Sequence, residues 1–160
     1  MSVPMPVIGF GADYLQALID REIALARSMG VIVESADDAG IVLRAPLPPN
    51  SNHKGTAFGG SLYSLAVLTG WAWLTRYVDS SAIDAAAVIQ ESSMQFLVPV
   101  TGTLRAVIAP PAAADVGKFR KLLLRAGRGR IRLRVEMHQG EKLAVVFDGL
   151  FAAAVRRKEI

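Results

Sequence analysis

The chain has no cysteine, which excludes disulfides, thiolate metal sites and a cysteine nucleophile. Histidine is almost as scarce. Only His53 and His138 occur, far apart in sequence, so a zinc site would have to lean on carboxylates and no metal site is expected. Acidic residues are in deficit, with 14 Asp and Glu against 18 Lys and Arg. Most of the excess lies between Lys118 and Arg134 and in the last few residues, a pattern that points to an anionic partner at one place and not to a wholly basic surface. The start MSVPMPVIGF has neither the basic opening nor the cleavage site of a signal peptide, so a cytoplasmic protein is expected. No internal repeat or low-complexity segment is present.

What is present is apolar surface. With 160 residues, 52% of them hydrophobic, the chain suits one domain over residues 1–160 with a sizeable core, Met1 to Gly11 being a loose lead-in marked by Pro4 and Pro6. Mixed three- and four-residue spacing of Tyr14, Leu15, Leu18, Ile19, Ile23, Leu25 and Ala26 predicts an amphipathic helix from Ala12 to Met29, ended by Gly30. Val31 to Ala36 and Gly40 to Leu47 read as a hairpin, and Pro46, Pro48 and Pro49 push the chain into a loop. Further on, Ala85 to Val100 and Thr103 to Ala109 read as strands, and Ala112 to Ala126 as a helix. Arg130 to His138 alternates strictly between apolar and polar residues, and Lys142 to Arg156 is the last strand. The order is neither a βαβ alternation nor a sandwich; an antiparallel sheet around one buried helix, an α+β fold, fits it.

That helix begins inside the stretch NSNHKGTAFGGSLYSLAVLTGWAWLTRY, Asn50 to Tyr77, where a polar loop opens straight into an uncharged run. Ala57 to Thr75 is about as long as a membrane span, but Ser61, Tyr63, Ser64 and Thr69 interrupt it and strands surround it, so it reads as a core helix and no membrane partner is expected. Gly59 and Gly60 allow a ligand to approach the backbone, and the following N–H groups have no earlier carbonyl to satisfy them. Such a start attracts developing negative charge, as on a polarised carbonyl. Asn52 and His53 add an amide and an imidazole just upstream, either as chemistry or as a cap and loop fastening, and Ser61, Tyr63 and Ser64 line the first turn.

Asn50 and Asn52, His53, Gly55, Thr56, Phe58, Gly59, Gly60 and Ser61, entering a helix that is followed by the strand QESSMQFLVPV, resemble the hotdog-fold thioesterases, most closely the YiiD C-terminal type of thioesterase domain. The resemblance spans Gly30 to Val155. It implies a hotdog fold, with an antiparallel sheet wrapped around a long central helix and two subunits joined edge to edge, as a homodimer or a dimer of dimers (homotetramer). It implies an acyl-CoA or acyl carrier protein substrate, with no cofactor beyond the coenzyme A of the substrate itself. The carbonyl would point at Gly60 N–H, with Gly59 beside it, while Asn52 orients the water or the substrate and His53 stands next to it.

One departure matters: many such enzymes carry a carboxylate about two turns into the helix, where this chain has Val67 and Leu68. Glu91 is then the nearest general-base candidate in sequence order. Its strand parity opposes Met94 and Phe96 unless a bulge near Ser92-Ser93 re-aims it; otherwise Gln90 would face the site. Arg130 and Arg132, with Arg128 and Arg134, form a basic row, either a solvated face or a cradle for coenzyme A phosphates. The row is short and lacks interleaved aromatics, so no nucleic acid is expected. The readings that remain are an acyl-thioester hydrolase, a hotdog protein that binds acyl-CoA without turnover, and more distantly a dehydratase, which would need a helix Glu.

Overall fold

The computed structural model describes residues 9–157, so most of the expected lead-in, and the final residues 158–160, lie outside the described residues. Helix α1 (Ala12–Glu22) buries Leu15 and Ile19. The helix expected to run on to Met29 breaks at Ile23, which takes an extended conformation (φ −120°, ψ 90°), and α2 (Ala24–Met29) resumes beyond it. The break lets Ala26 and Met29 bury, and the Met29 carbonyl accepts a hydrogen bond from Asn50 Nδ2 at 2.8 Å. Gly30, at φ 73°, closes the helix.

Strands β1 (Ile32–Asp37) and β2 (Gly40–Ala45) form the expected hairpin. A 3-10 turn (Pro48–Asn50) then leads through the loop to α3 (Gly59–Ser80), followed by β3 (Ala85–Phe96), β4 (Leu104–Ile108), α4 (Ala113–Ala126), β5 (Arg128–Gln139) and β6 (Lys142–Val155). The six strands form one antiparallel sheet in the order β1-β2-β4-β5-β6-β3. Strand β3 is an edge on the far side from β2 because α3 carries the chain across the whole sheet face, touching β2 through β6.

The alternation in β5 buries Ile131, Leu133, Val135 and Met137 against the helix side and leaves the arginines on the other. Phe147 and Phe151 of β6 are fully buried beneath α3. At Gly70 a β-carbon would lie 2.5 Å from the Phe151 ring, so a glycine that costs a helix about 1 kcal/mol is the condition for helix and sheet to meet this closely. Strand β4 pairs with β5 only at Ala106–Met137 and Val107–Glu136; α4 packs beside the remainder of β5, with Phe119 and Leu123 buried.

Candidate active site at the start of the central helix

The loop before α3 is tied off by a bridge between Ser51 and Ala57 and by the Phe58 N–H donating to the Asn50 carbonyl at 2.7 Å. Within it, Asn52 Oδ1 accepts from the N–H groups of Lys54 (2.8 Å) and Thr56 (3.1 Å), while its Nδ2 donates to Thr56 Oγ1 at 2.8 Å. All of the Asn52 side chain's donor and acceptor atoms are thus engaged in holding the loop. His53 sits exposed at the loop tip, beyond the bridge. Neither residue caps α3: the N-cap is Phe58, and it makes no side-chain cap hydrogen bond.

The helix start is therefore open. Leu62 N–H is the first to find a carbonyl, that of Phe58 at 3.0 Å, which leaves the N–H groups of Gly59, Gly60 and Ser61 without a partner inside the helix. No acidic side chain in the first turn offsets the positive end of the dipole. The Ser64 hydroxyl turns back to the Gly60 carbonyl at 2.8 Å, and Ser61 is half-buried. Two exposed rings flank the glycines: a β-carbon on Gly60 would meet Phe58 at 2.5 Å, and one on Gly59 would meet Phe96 at 3.7 Å, with both rings 56% exposed.

Strand β3 carries a bulge, placed at Gln90 and not near Ser92-Ser93: Ile89 pairs with Phe151 and Glu91 with Leu150, leaving Gln90 unpaired and exposed. Parity flips there, so Ala85, Ala87 and Ile89 face the helix before it and Met94 after it. The flip does not bring Glu91 to the helix. Glu91 stands on the opposite face of the sheet, 3.4 Å from Arg132, in an exposed ion pair. The arginine row lies on that same outer face and is partly neutralised, Arg134 pairing with Glu136 at 2.9 Å and Asp148 at 3.7 Å. An open groove of about 460 Å³ on this face, lined by Pro110, Pro111, Arg132, Arg134 and His138, is likewise separate from the helix start.

Of the residues singled out from sequence, Gly59, Gly60, Ser61 and Ser64 therefore share one site, and Glu91, Arg130 and Arg132 lie elsewhere in the protomer. Tyr63, expected in the first turn, meets a residue that the sequence reading did not place at the site, Ser92: their hydroxyl oxygens are 2.7 Å apart, across the gap between α3 and β3. The signal for Ser92 depends on a bulge that alternation alone does not locate.

The family model described as "Putative thioesterase (yiiD_Cterm)" matches residues 12–155. The chain belongs to this thioesterase family. A protein of unknown function from Chlorobaculum tepidum is similar over 91% of this chain and 94% of its own, at 30% identity and a TM-score of 0.86. A Shewanella oneidensis protein described as a "putative thioesterase" is 26% identical over 91% and 97% of the two chains, with a TM-score of 0.79. A Haemophilus influenzae thioesterase shares the fold at 14% identity, over 92% and 93%, with a TM-score of 0.66. The thioesterase domain thus has the hotdog architecture, with its glycine pair at the start of the central helix. Among its described residues no helix is long and apolar enough to cross a membrane.

Proposed function

We propose that this chain hydrolyses the thioester of an acyl group carried on coenzyme A or on a carrier protein, with the carbonyl held at the start of α3 and attacked by water. The observation that carries the reading is the uncapped helix start, whose free N–H groups at Gly59 and Gly60 lie between the apolar Phe58 and Phe96. Donors fixed in advance where charge develops on the carbonyl oxygen are worth about 3–4 kcal/mol each in comparable sites. The flanking rings suit an acyl chain and lower the local dielectric, which strengthens those hydrogen bonds.

The working unit in this proposal is a homodimer, or a dimer of dimers, joined through the edge strand β3. Two features support it. Gly60, Tyr63, Ser64, Val67 and Trp71 form an uncharged stripe along α3 that the protomer's own sheet leaves partly uncovered. Val88, Phe96 and Leu97 are more than half exposed along or just after β3. The arginine row enters only across subunits, because it faces away from the helix start of its own protomer; coenzyme A would have to run from one helix start to a neighbouring sheet. Replacing Arg130 and Arg132 by Ala should then raise KM for CoA esters more than for esters lacking the nucleotide, and equal effects would remove the row from the reading.

The second reading, binding of acyl-CoA without turnover, is favoured by the absence of any carboxylate on the site side of α3 and by the outward turn of Glu91. Hydrolysis of a panel of acyl-CoA chain lengths, measured beside equilibrium binding of the same ligands, separates the two. Tight binding with no release of free thiol would establish the second.

A further inference from the structure

A thioesterase needs a group that holds water against the carbonyl, and none of the titratable residues expected for that work reaches the helix start within this chain. The run from Gly59 to Thr75 is uncharged, Glu91 pairs with Arg132 on the outer face, and His53 stands beyond the loop bridge. What faces the first turns of α3 is a pair of hydroxyls. Tyr63 follows Gly60 by three residues, which puts it on the same side of the helix and about 4.5 Å further along the axis. The bulge at Gln90 brings Ser92 onto the helix side, where its hydroxyl meets that of Tyr63 at 2.7 Å. Phe96, two alternations further along the same face of β3, comes within reach of Gly59.

The pair is positioned and still accessible. The Tyr63 ring packs edge-on to the buried Phe147 with centroids 5.9 Å apart, which fixes the phenol, and 39% of the residue remains open to solvent. One hydroxyl donates to the other, which leaves a second O–H and spare lone pairs for a water molecule.

We propose that the Tyr63–Ser92 hydroxyl pair holds and orients the attacking water; the inference rests on the hydrolase reading above. The water oxygen forms the new bond to the carbonyl carbon, and the carbonyl electrons move onto the oxygen facing the Gly59 and Gly60 N–H groups. As they return, the carbon–sulfur bond breaks and the sulfur leaves with the electron pair. The proton lost by water passes to one hydroxyl while that pair releases one of its own, and it ends on the departing sulfur. The products are a carboxylic acid and a free thiol, and both hydroxyls finish neutral. A thiol, with a pKa near 8.5 in its cysteine form, is a good enough leaving group that no strong base or acid is demanded of the pair.

The test compares Tyr63→Phe, Ser92→Ala and the double variant with the parent in steady-state hydrolysis of an acyl-CoA that the parent turns over, with urea unfolding of each. Each single change is expected to lower kcat by about 10- to 100-fold with KM little changed, from lost positioning. The double variant should be no slower than the worse single, as for residues acting as one unit, and Ser92→Thr, which keeps the hydroxyl, should recover most of the rate. The parent's kcat should be flat from about pH 6 to 8, since the proposed route uses no carboxylate or imidazole. Unchanged kcat in both single variants, losses that merely follow loss of folded protein, or a limb of the pH profile in that range from a carboxylate or imidazole would overturn the pair while leaving hydrolysis at α3 standing. A parent that binds but never hydrolyses would overturn both.

Discussion

Phe58 lays its ring directly over Gly60: a β-carbon built there falls 2.5 Å from ring Cε1. The absence of a side chain at Gly60 thus makes room for a phenylalanine of the same loop, and neither Gly59 nor Gly60 has the positive φ that would demand glycine. Gly59→Ala meets only ordinary contact, 3.7 Å from Phe96, and should stabilise the fold by about 0.4–1 kcal/mol through the unfolded chain. Gly60→Ala must displace Phe58 and should gain less. Urea unfolding of the two variants checks the order, and a larger gain at Gly60 would show that the ring does not hold its place over the helix start.

Asn52 and His53 are adjacent in sequence and differently engaged, Asn52 bonded within the loop and His53 exposed at its tip. Asn52→Ala breaks three hydrogen bonds inside the loop and should cost about 1–2 kcal/mol, with turnover falling as the helix start loosens. His53→Ala, at an exposed tip, should change stability by less than about 0.5 kcal/mol and leave kcat near the parent's. A tenfold fall in kcat for the folded His53 variant would put the imidazole in the chemistry.

Gly70→Ala sets helix propensity against packing. Alanine favours the helix by about 1 kcal/mol, but the new methyl would lie 2.5 Å from the buried Phe151 ring, and overpacking of a core costs about 1–3 kcal/mol. A net loss of stability is expected in chemical unfolding. A gain would mean that β6 can draw back from α3 cheaply.

Tyr14 on α1 donates a hydrogen bond to Asp79 near the end of α3; burial first, then that bond and the carboxylate charge, push its phenol up to about 12. A proton held more tightly in the folded than in the unfolded state stabilises fully below the unfolded value near 10 and is lost as pH rises through the folded one. Stability should therefore fall between about pH 10 and 12 in the parent, and Tyr14→Phe should lose that part of the fall. Identical alkaline limbs would remove the contact as a tie between α1 and α3.

Glycine and proline punctuation, together with the uncharged run after Phe58, was enough to locate α3 and its start, and strict alternation was enough to assign the faces of β5. The break at Ile23 was not legible, because the apolar spacing continues across it and only the burial of Met29 against the later loop requires the turn. Sequence parity left a bulge near Ser92-Ser93 only as a condition for re-aiming Glu91, and the bulge that occurs is at Gln90, since a bulge is set by the register against β6, a strand some 60 residues away. That shift puts Ser92 on the helix side and leaves Glu91 with Arg132. The arginine row was legible as a row, and Glu136 shares its face two residues from Arg134; the pairing with Glu91 and Asp148 depends on neighbouring strands that alternation within β5 does not reveal.

The claim on which the functional reading turns is that the Gly60 N–H binds the developing oxyanion, and Gly60→Pro against Gly60→Ala tests it most directly. Both variants put carbon against the Phe58 ring, so displacement of that ring is common to both and the N–H is the main difference. Proline is tolerated in the first helical turn, where the lost N–H bonds no helix carbonyl. With folding and oligomeric state verified for each, the account predicts that kcat of the proline variant falls two to three decades below that of the alanine variant, the loss of about 3–4 kcal/mol expected for one oxyanion donor. A folded proline variant as active as the alanine variant would contradict it.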